Sequence, residues 1–147
     1  MRTHSRGFTQ LEMIMVLAVA GTTMGMAVPE ITTIITHARV NHAASIAAGD
    51  LELASSLAFR THKPLRLTVD ASAMTITVSD RATGTVLSKR QFGSRTDFKL
   101  TTVAAVPAQV DIFPNGSATQ SLTLTLGLPG YSRVVTLSRA GMVQGAP

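Results

Sequence analysis

An apolar run near the N-terminus is long enough to cross a bilayer, and one carboxylate interrupts it. The 21 residues from Phe8 to Val28 contain no Lys, Arg or Asp, and a helix of this length, at about 1.5 Å per residue, spans roughly 30 Å. Glu12 lies inside the run, where an unpaired carboxylate costs about 2.5 to 3.5 kcal/mol on insertion scales. The sequence therefore predicts a membrane helix over 8–28 whose acid has a partner.

A cut in the chain between Gly7 and Phe8 would provide that partner. The cut would create an α-ammonium group one helical turn before Glu12, at the positive end of the helix dipole, where carboxylates are stabilised. We therefore expect the leader, residues 1–7, to be removed.

The positive charges around the run predict its orientation. Arg2 and Arg6 precede it, and no Lys or Arg follows it until Arg39. Because cytoplasmic flanks of membrane helices are enriched in Lys and Arg, we expect a cytoplasmic N-terminus and an exported C-terminal part.

The residues around the cut resemble a known signal. Gly7, Phe8 and Thr9, with Glu12 as the fifth residue after the cut, resemble the class III signal of type IV pilins and type II secretion pseudopilins. The resemblance implies that a prepilin peptidase cleaves after Gly7 and methylates the new N-terminus at Phe8. It also implies that Glu12 pairs with a neighbouring subunit's amine during assembly. Gln10 departs from the family pattern, which usually has an aliphatic residue there.

Two other interpretations of the N-terminus are an ordinary secretory signal peptide and an uncut membrane anchor. Small residues would allow signal cleavage after Ala20 or Ala27. A cut after Ala20 leaves Glu12 within a short apolar region, and a cut after Ala27 places Pro29 just beyond the scissile bond. The prepilin interpretation avoids both difficulties.

Helix packing is predicted by three residues in the apolar run. Gly21 and Gly25 have the spacing that lets helix backbones approach closely in a membrane, and Pro29 removes one backbone hydrogen bond. The alternative is that glycine is simply commoner in membrane helices. The resemblance implies that the stretch from Gly21 to Pro29 loosens when subunits leave the bilayer for the filament.

Beyond Pro29 a helical period continues to about Phe59. Two apolar stripes lie on nearly opposite sides of this helix. The first consists of Ile31, Ile35, Ile46, Leu53 and Leu57, and the second of Val40, Ala44, Ala47, Leu51, Ala54 and Ala58. One side is expected to meet the chain's own sheet and the other to meet neighbouring subunits, although a helix buried on both sides within one domain explains the pattern equally well.

From Pro64 onward the period changes to two. Leu65 to Val78 predicts a β-hairpin that turns at Asp70–Ala73. Further strands are predicted at Thr85–Leu87, Phe98–Thr102, Val110–Phe113, Ser121–Leu126 and Arg133–Ser138. The expected fold is α+β: a long N-terminal transmembrane and amphipathic helix packs against an antiparallel β-sheet domain.

A second resemblance lies in the C-terminal part. The segment Asp111–Gly116, followed by Leu122–Leu124, and a final hairpin through Arg139–Gly141 to Met142 and Val143 resemble the type II secretion protein H (GspH/FimT) family of minor pseudopilins, which are type IV pilin-like.

These observations together divide the chain into a cleaved leader (1–7), the transmembrane part of the helix (8–28), its amphipathic part (29–60) and a periplasmic β-sheet domain (61–147).

Catalysis and metal binding find little support in the sequence. There is no Cys, so thiolate chemistry and disulfides are excluded. His37 and His42 fall about 140° apart on a helix, and Asp50 and Glu52 also diverge, so neither pair makes a metal site. We expect no enzyme activity, no catalytic residue, no metal and no cofactor.

Nucleic-acid binding is the main alternative activity. Lys89, Arg90, Arg95 and Lys99 form a basic cluster, and FimT-type pilins include DNA receptors for natural transformation. Solvated charge is the commoner meaning of such a cluster. The family's DNA-binding tail, Gly-Arg-x-Arg, is replaced here by Gly-Met-Val-Gln at 141–144.

The resemblances imply a minor pseudopilin at the pseudopilus tip of a type II secretion system, where it helps to initiate assembly and protein secretion. Its expected partners are other minor pseudopilins, the major pseudopilin, the prepilin peptidase, the inner-membrane assembly platform, and secreted cargo or the outer-membrane channel. The expected location is the bacterial inner membrane, as a single-pass subunit with a periplasmic C-terminal domain. The alternative is a minor pilin of a type IV pilus, with DNA as a further partner.

Overall fold

The computed structural model describes residues 9–145, without the side chains of 26–30. The leader, the predicted cut between Gly7 and Phe8, and the methylation at Phe8 lie outside the described residues. The chain divides into two compact units, Met1–Ile35 and Thr36–Pro147, called here the N-terminal unit and the C-terminal unit.

One helix, α1, runs from Gln10 to Thr61. Its acidic first turn contains Glu12 and its basic last turn contains Arg60, which suits the helix dipole at both ends. His62 follows with a φ of 55°, a left-handed conformation that ends helices. Among the described residues no helix is both long enough and apolar enough to cross a membrane.

Within residues 9–145, eight strands follow the helix, all paired antiparallel. They are β1 (Leu65–Asp70), β2 (Thr75–Asp80), β3 (Val86–Gln91), β4 (Thr102–Val106), β5 (Gln109–Ile112), β6 (Leu122–Leu128), β7 (Tyr131–Leu137) and β8 (Val143–Gly145). They form two four-stranded sheets, sheet A in the order β3-β2-β1-β5 and sheet B in the order β4-β6-β7-β8. The α+β class with a long N-terminal helix is confirmed, but two sheets replace the single sheet that the sequence predicted.

The first hairpin is confirmed, with Leu65 opposite Asp80 and Asp70 opposite Thr75. The strand predicted at Phe98–Thr102 is wrong, because the strand begins at Thr102. Lys99 has a φ of 51°, which is incompatible with a strand, and the Phe98 ring packs against Phe92 with ring centroids 5.3 Å apart. Phe98 therefore packs its apolar side chain on the core from a loop and not from a strand.

The core joins α1 to both sheets in a single buried cluster. The helix contributes Val40, Ala43, Ala47, Leu51, Ala54 and Ala58, each at most 1% exposed. This is the second predicted stripe, with Ala43 fully buried and Ala44 only partly so. Small side chains on the helix allow the sheets to approach closely, while Leu residues of β1 and β6 fill the opposite side.

Candidate assembly surfaces

Large apolar side chains in the N-terminal unit remain exposed along the helix. Over residues 11–24, the large apolar side chains are between 57% and 71% exposed: Leu11, Met13, Ile14, Met15, Val16, Leu17, Val19 and Met24. They occur on every side of the helix, since 13 to 17 are consecutive. An apolar surface of this kind on a protein marks contact with lipid or with another protein.

Thr9 and Glu12 cap the start of α1. The Thr9 backbone N–H donates to the Glu12 carboxylate over 2.9 Å, and its hydroxyl donates to the same oxygen over 3.0 Å. The Glu12 backbone N–H in turn contacts the Thr9 hydroxyl oxygen at 3.3 Å. This is a capping box. This capping box was not predicted, although the Thr-x-x-Glu spacing at 9–12 is its usual signal.

Gly21 and Gly25 lie on the helix surface with open space around them. A Cβ added to either glycine would meet no atom within 4 Å. Between them, the hydroxyls of Thr22 and Thr23 donate to the Val19 carbonyl, at 2.9 and 3.0 Å. These bonds satisfy two polar groups within an otherwise apolar stretch. The helical backbone continues through Pro29.

The helix in the C-terminal unit has a second apolar side beyond its buried face. Ile46 and Leu57 are partly buried against the core, whereas Leu53 is 47% exposed. The first predicted stripe therefore remains partly open in this unit.

A charged pair fastens the helix to the edge of sheet A. The Arg90 guanidinium of β3 binds both Asp50 carboxylate oxygens, with Nη2 at 2.9 Å from Oδ1 and Nε hydrogen-bonded to Oδ2. Asp50 is buried, at 8% exposed. The hydrogen bonds that Arg90 donates to the Asp50 carboxylate raise the pKa of Arg90, as expected when a cation gains an acceptor.

A second polar contact fastens the first turns of the same unit to β7. Asn41 Oδ1 accepts hydrogen bonds from Tyr131 Oη at 3.0 Å and from Arg133 Nε at 2.8 Å. The His37 ring stacks on Tyr131, with centroids 3.8 Å apart. The sequence could not identify this group, because 90 residues separate Asn41 from Tyr131.

The residues of the predicted basic cluster differ in their surroundings. Arg90 is bound to Asp50, and Lys89 points to the opposite face of the edge strand, in register with Thr77. Arg95 and Lys99 are exposed in the loop after β3. Of the four residues predicted for nucleic-acid contact, Arg90 is therefore engaged by Asp50, whereas Lys89, Arg95 and Lys99 are exposed.

Sheet A carries an ion-pair cluster on its outer face. Asp111 accepts from Arg66 Nε at 2.8 Å and lies 3.1 Å from Arg81 Nε. The hydrogen bond from Arg66 and the charges of both arginines hold the pKa of Asp111 below its usual value, against the effect of burial. The cluster ties β1, β5 and the loop after β2 together.

A family model and solved structures match this chain. The model described as type II transport protein GspH matches residues 43–141. The chain belongs to the GspH family. The match covers the buried helix face from Ala43 onward and strands β1 to β7, so the resemblance noted in the sequence is confirmed. No curated protein matches the chain.

The structural matches share the fold of this GspH-family chain. The type IV minor pilin FimU of Pseudomonas aeruginosa aligns with a TM-score of 0.62 and 21% identity, covering 76% of this chain and 90% of FimU. The minor pseudopilin EpsH from the type 2 secretion system of Vibrio cholerae aligns with a TM-score of 0.54 and 16% identity, covering 74% of this chain and 96% of EpsH. At these identities, the matches show that the chain has the type IV pilin-like fold.

Proposed function

We propose that this chain is a minor pseudopilin of a type II secretion system, placed at or near the pseudopilus tip. In this role it helps to start pseudopilus assembly and thereby protein secretion. Its work is mechanical, and it needs neither a catalytic residue nor a cofactor. Membership of the GspH family and the similarity to a pseudopilin support this assignment.

The observation that carries the proposal is the exposed apolar helix of the N-terminal unit. A helix with large apolar side chains on all sides is stable only in lipid or among other helices. We propose that residues 8–28 are held in the inner membrane before assembly, with the C-terminal unit in the periplasm. The same surface then packs against the helices of other minor pseudopilins and of the major pseudopilin.

Processing is the second part of the proposal. Cleavage after Gly7 by a prepilin peptidase leaves Phe8 as the N-methylated first residue. Glu12 then stands one turn from the new amine of its own chain, and in the filament it pairs with the amine of a neighbouring subunit. The inner-membrane assembly platform is the proposed site of that pairing, and secreted cargo or the outer-membrane channel is the proposed contact of the assembled tip.

The first experiment is to determine the intact mass and N-terminal residue of the protein purified from native membranes. We expect an N-methylated Phe8. A start at Gly21 or Val28 would show a freely exported domain, and the filament proposal would then be abandoned.

The second experiment tests Glu12 in the native host. Glu12→Ala should leave cleavage intact, because the scissile bond is unchanged, but it should impair incorporation into the tip complex and secretion. Normal secretion by this variant would contradict the proposed role.

The second candidate is a minor pilin of a type IV pilus, and the similarity to FimU favours it. Deletion of the gene distinguishes the two machines, since loss of exported enzymes with intact pili supports secretion and the reverse supports a pilus. DNA uptake would be a further property of the pilus candidate alone. A transformation assay of the deletion strain tests it directly.

A further inference from the structure

The outer face of sheet B carries no charge at its described positions. The core-facing residues of its strands include Val103, Leu124 and Val135, and the residues between them point outward. In register across the strands, these outward positions form three rows: Val106, Thr123, Thr136 and Gln144; Ala104, Thr125 and Val134; Thr102, Gly127 and Ser132. All are small, β-branched or amide side chains.

Sheet A differs at the equivalent positions. Its outer face carries Arg66 and Asp111, which are paired in register, and Lys89 next to Thr77. Charged side chains lose their hydration when a partner covers them, which disfavours docking on a charged sheet face. Sheet A is thus suited to solvent, whereas sheet B lacks the groups that would keep another protein surface away.

The chemistry of the sheet B face excludes several kinds of partner. Nucleic acids and anionic lipid surfaces need Lys or Arg, and this face has neither at its described positions. Arg133 belongs to the opposite side of β7, where it contacts Asn41. A charged protein surface would lose its hydration here without gaining a partner. The matching partner is a protein surface that is itself uncharged.

A hollow at one end of this face would receive a side chain. Its volume is about 280 Å³, and its lining includes Thr123, Thr136 and Met142. Met142 is 61% exposed, and every lining residue is uncharged. A Met side chain adapts its shape to the group that contacts it, so the hollow suits an apolar side chain of a partner.

The size of the face limits how the partner is held. Four strands are about 14 Å across and five residues about 17 Å long, which gives roughly 250 Å². A stable interface needs about 800 Å² from each partner. A second copy of this chain could not be held by this face alone, so its occupant must be tethered by another contact.

We propose that the outer face of sheet B docks onto an uncharged surface on the globular domain of a neighbouring subunit in the same filament. Packing of the N-terminal helices supplies the tether, and the sheet face then acts at high effective concentration. The inference rests on the proposed function and extends it by naming the surface that meets the neighbour. Sheet A remains open to solvent in the assembled tip.

Site-specific cross-linking tests this directly, since the chain has no Cys of its own. Thr123→Cys places a thiol on the sheet B face, and Gln91→Cys places a matched exposed thiol on β3 of sheet A. The full-length variants are expressed in the native host and treated with a short bis-maleimide. A bis-maleimide needs a thiol on both partners. Single Cys residues are therefore introduced one at a time into the other subunits of the machine, in the same cells.

The expected result is a cross-link from Thr123→Cys to another prepilin-processed subunit, identified by mass spectrometry. Gln91→Cys should give none, and the added Glu12→Ala substitution should abolish the product by removing the tether. The inference is overturned if the Thr123→Cys chain is present in the filament fraction without a cross-link, or if the cross-link persists with Glu12→Ala. If the unsubstituted chain is missing from the filament fraction, the proposed function itself fails, and the inference fails with it.

A charge placed on each sheet gives a second, independent test. Thr123→Glu should reduce secretion or piliation about tenfold, because the carboxylate would be buried unpaired at the interface. Thr77→Glu places the carboxylate beside Lys89 on sheet A, and secretion or piliation should stay near the level of the unsubstituted chain. As a control, thermal unfolding of both variants checks that each is folded. A folded Thr123→Glu variant with full function would contradict the inference.

Discussion

The two halves of α1 use apolar residues for different purposes. In the N-terminal unit they are large and exposed, as Leu17 is at 67%. In the C-terminal unit one face is buried and mostly alanine, with Leu51 at its centre fully buried. The difference shows that apolar character alone does not identify the residues that stabilise the fold. Exposure in the single chain separates residues that serve folding from those that remain available for assembly.

The largest expected effect on stability comes from replacing Leu by Ala in each half of the helix, which tests whether exposure distinguishes folding residues from assembly residues. Leu51→Ala leaves a cavity in the core and should lower the free energy of unfolding by about 2 to 5 kcal/mol. Leu17→Ala removes an exposed side chain and should change it by less than about 0.5 kcal/mol. Denaturant unfolding of the full-length chain in detergent measures both.

Assembly should respond in the opposite order at a temperature where both variants are folded. Leu17→Ala should lower the amount of subunit in the filament fraction, whereas folded Leu51→Ala should be incorporated normally. An equal loss of stability in the two variants would break the comparison between the halves.

The pair between Asp50 and Arg90 gives the next largest effect. Arg90→Ala leaves a buried carboxylate without a partner and should cost about 2 to 4 kcal/mol. Asp50→Ala leaves only a half-exposed guanidinium and should cost less. The matched control is Lys89→Ala, on the exposed side of the same strand. If Arg90→Ala and Lys89→Ala are equally stable, the pair does not fasten β3 to the helix.

A smaller effect is expected at the first turns of the C-terminal unit. Tyr131→Phe keeps the ring that stacks on His37 but removes the hydroxyl that donates to Asn41. The loss should be about 0.5 to 1.5 kcal/mol. Tyr131→Ala should cost more, because it also removes the stacked ring. Similar values for the two variants would show that the ring contributes little.

The sequence predicted the elements better than their partners. The period of 3.6 residues predicted the buried helix stripe, and the period of two predicted the first hairpin, because both depend on neighbouring positions. The two-sheet arrangement, the contact between Asn41 and Tyr131 and the binding of Arg90 by Asp50 depend on residues far apart in the chain. Phe98 was misassigned because an apolar side chain packs on the core equally well from a loop as from a strand.

The same limit applies to the candidate surfaces. The leader and the assembly roles of the carboxylate and the glycines in the N-terminal unit were predicted from local spacing, and they stay predictions. The alternation of Leu and Thr at 122–126 also predicted a strand with a polar side. Recognition that this side continues without charge over β4, β7 and β8 required the register of sheet B.

The smallest expected effect on stability comes from replacing two glycines of the same helix. These replacements test whether Gly21 and Gly25 pack against another helix or are simply common residues in a membrane helix. Gly21 and Gly49 both lie in open space on α1, and replacement by Ala at either should favour the helix by about 0.5 to 1 kcal/mol. In the C-terminal unit, Gly49→Ala should therefore raise the unfolding temperature and leave assembly unchanged. Gly21→Ala should leave that temperature unchanged and reduce incorporation into the filament, because the added methyl group keeps a neighbouring helix at a distance. Normal incorporation of Gly21→Ala would mean that glycine is tolerated there without a packing role.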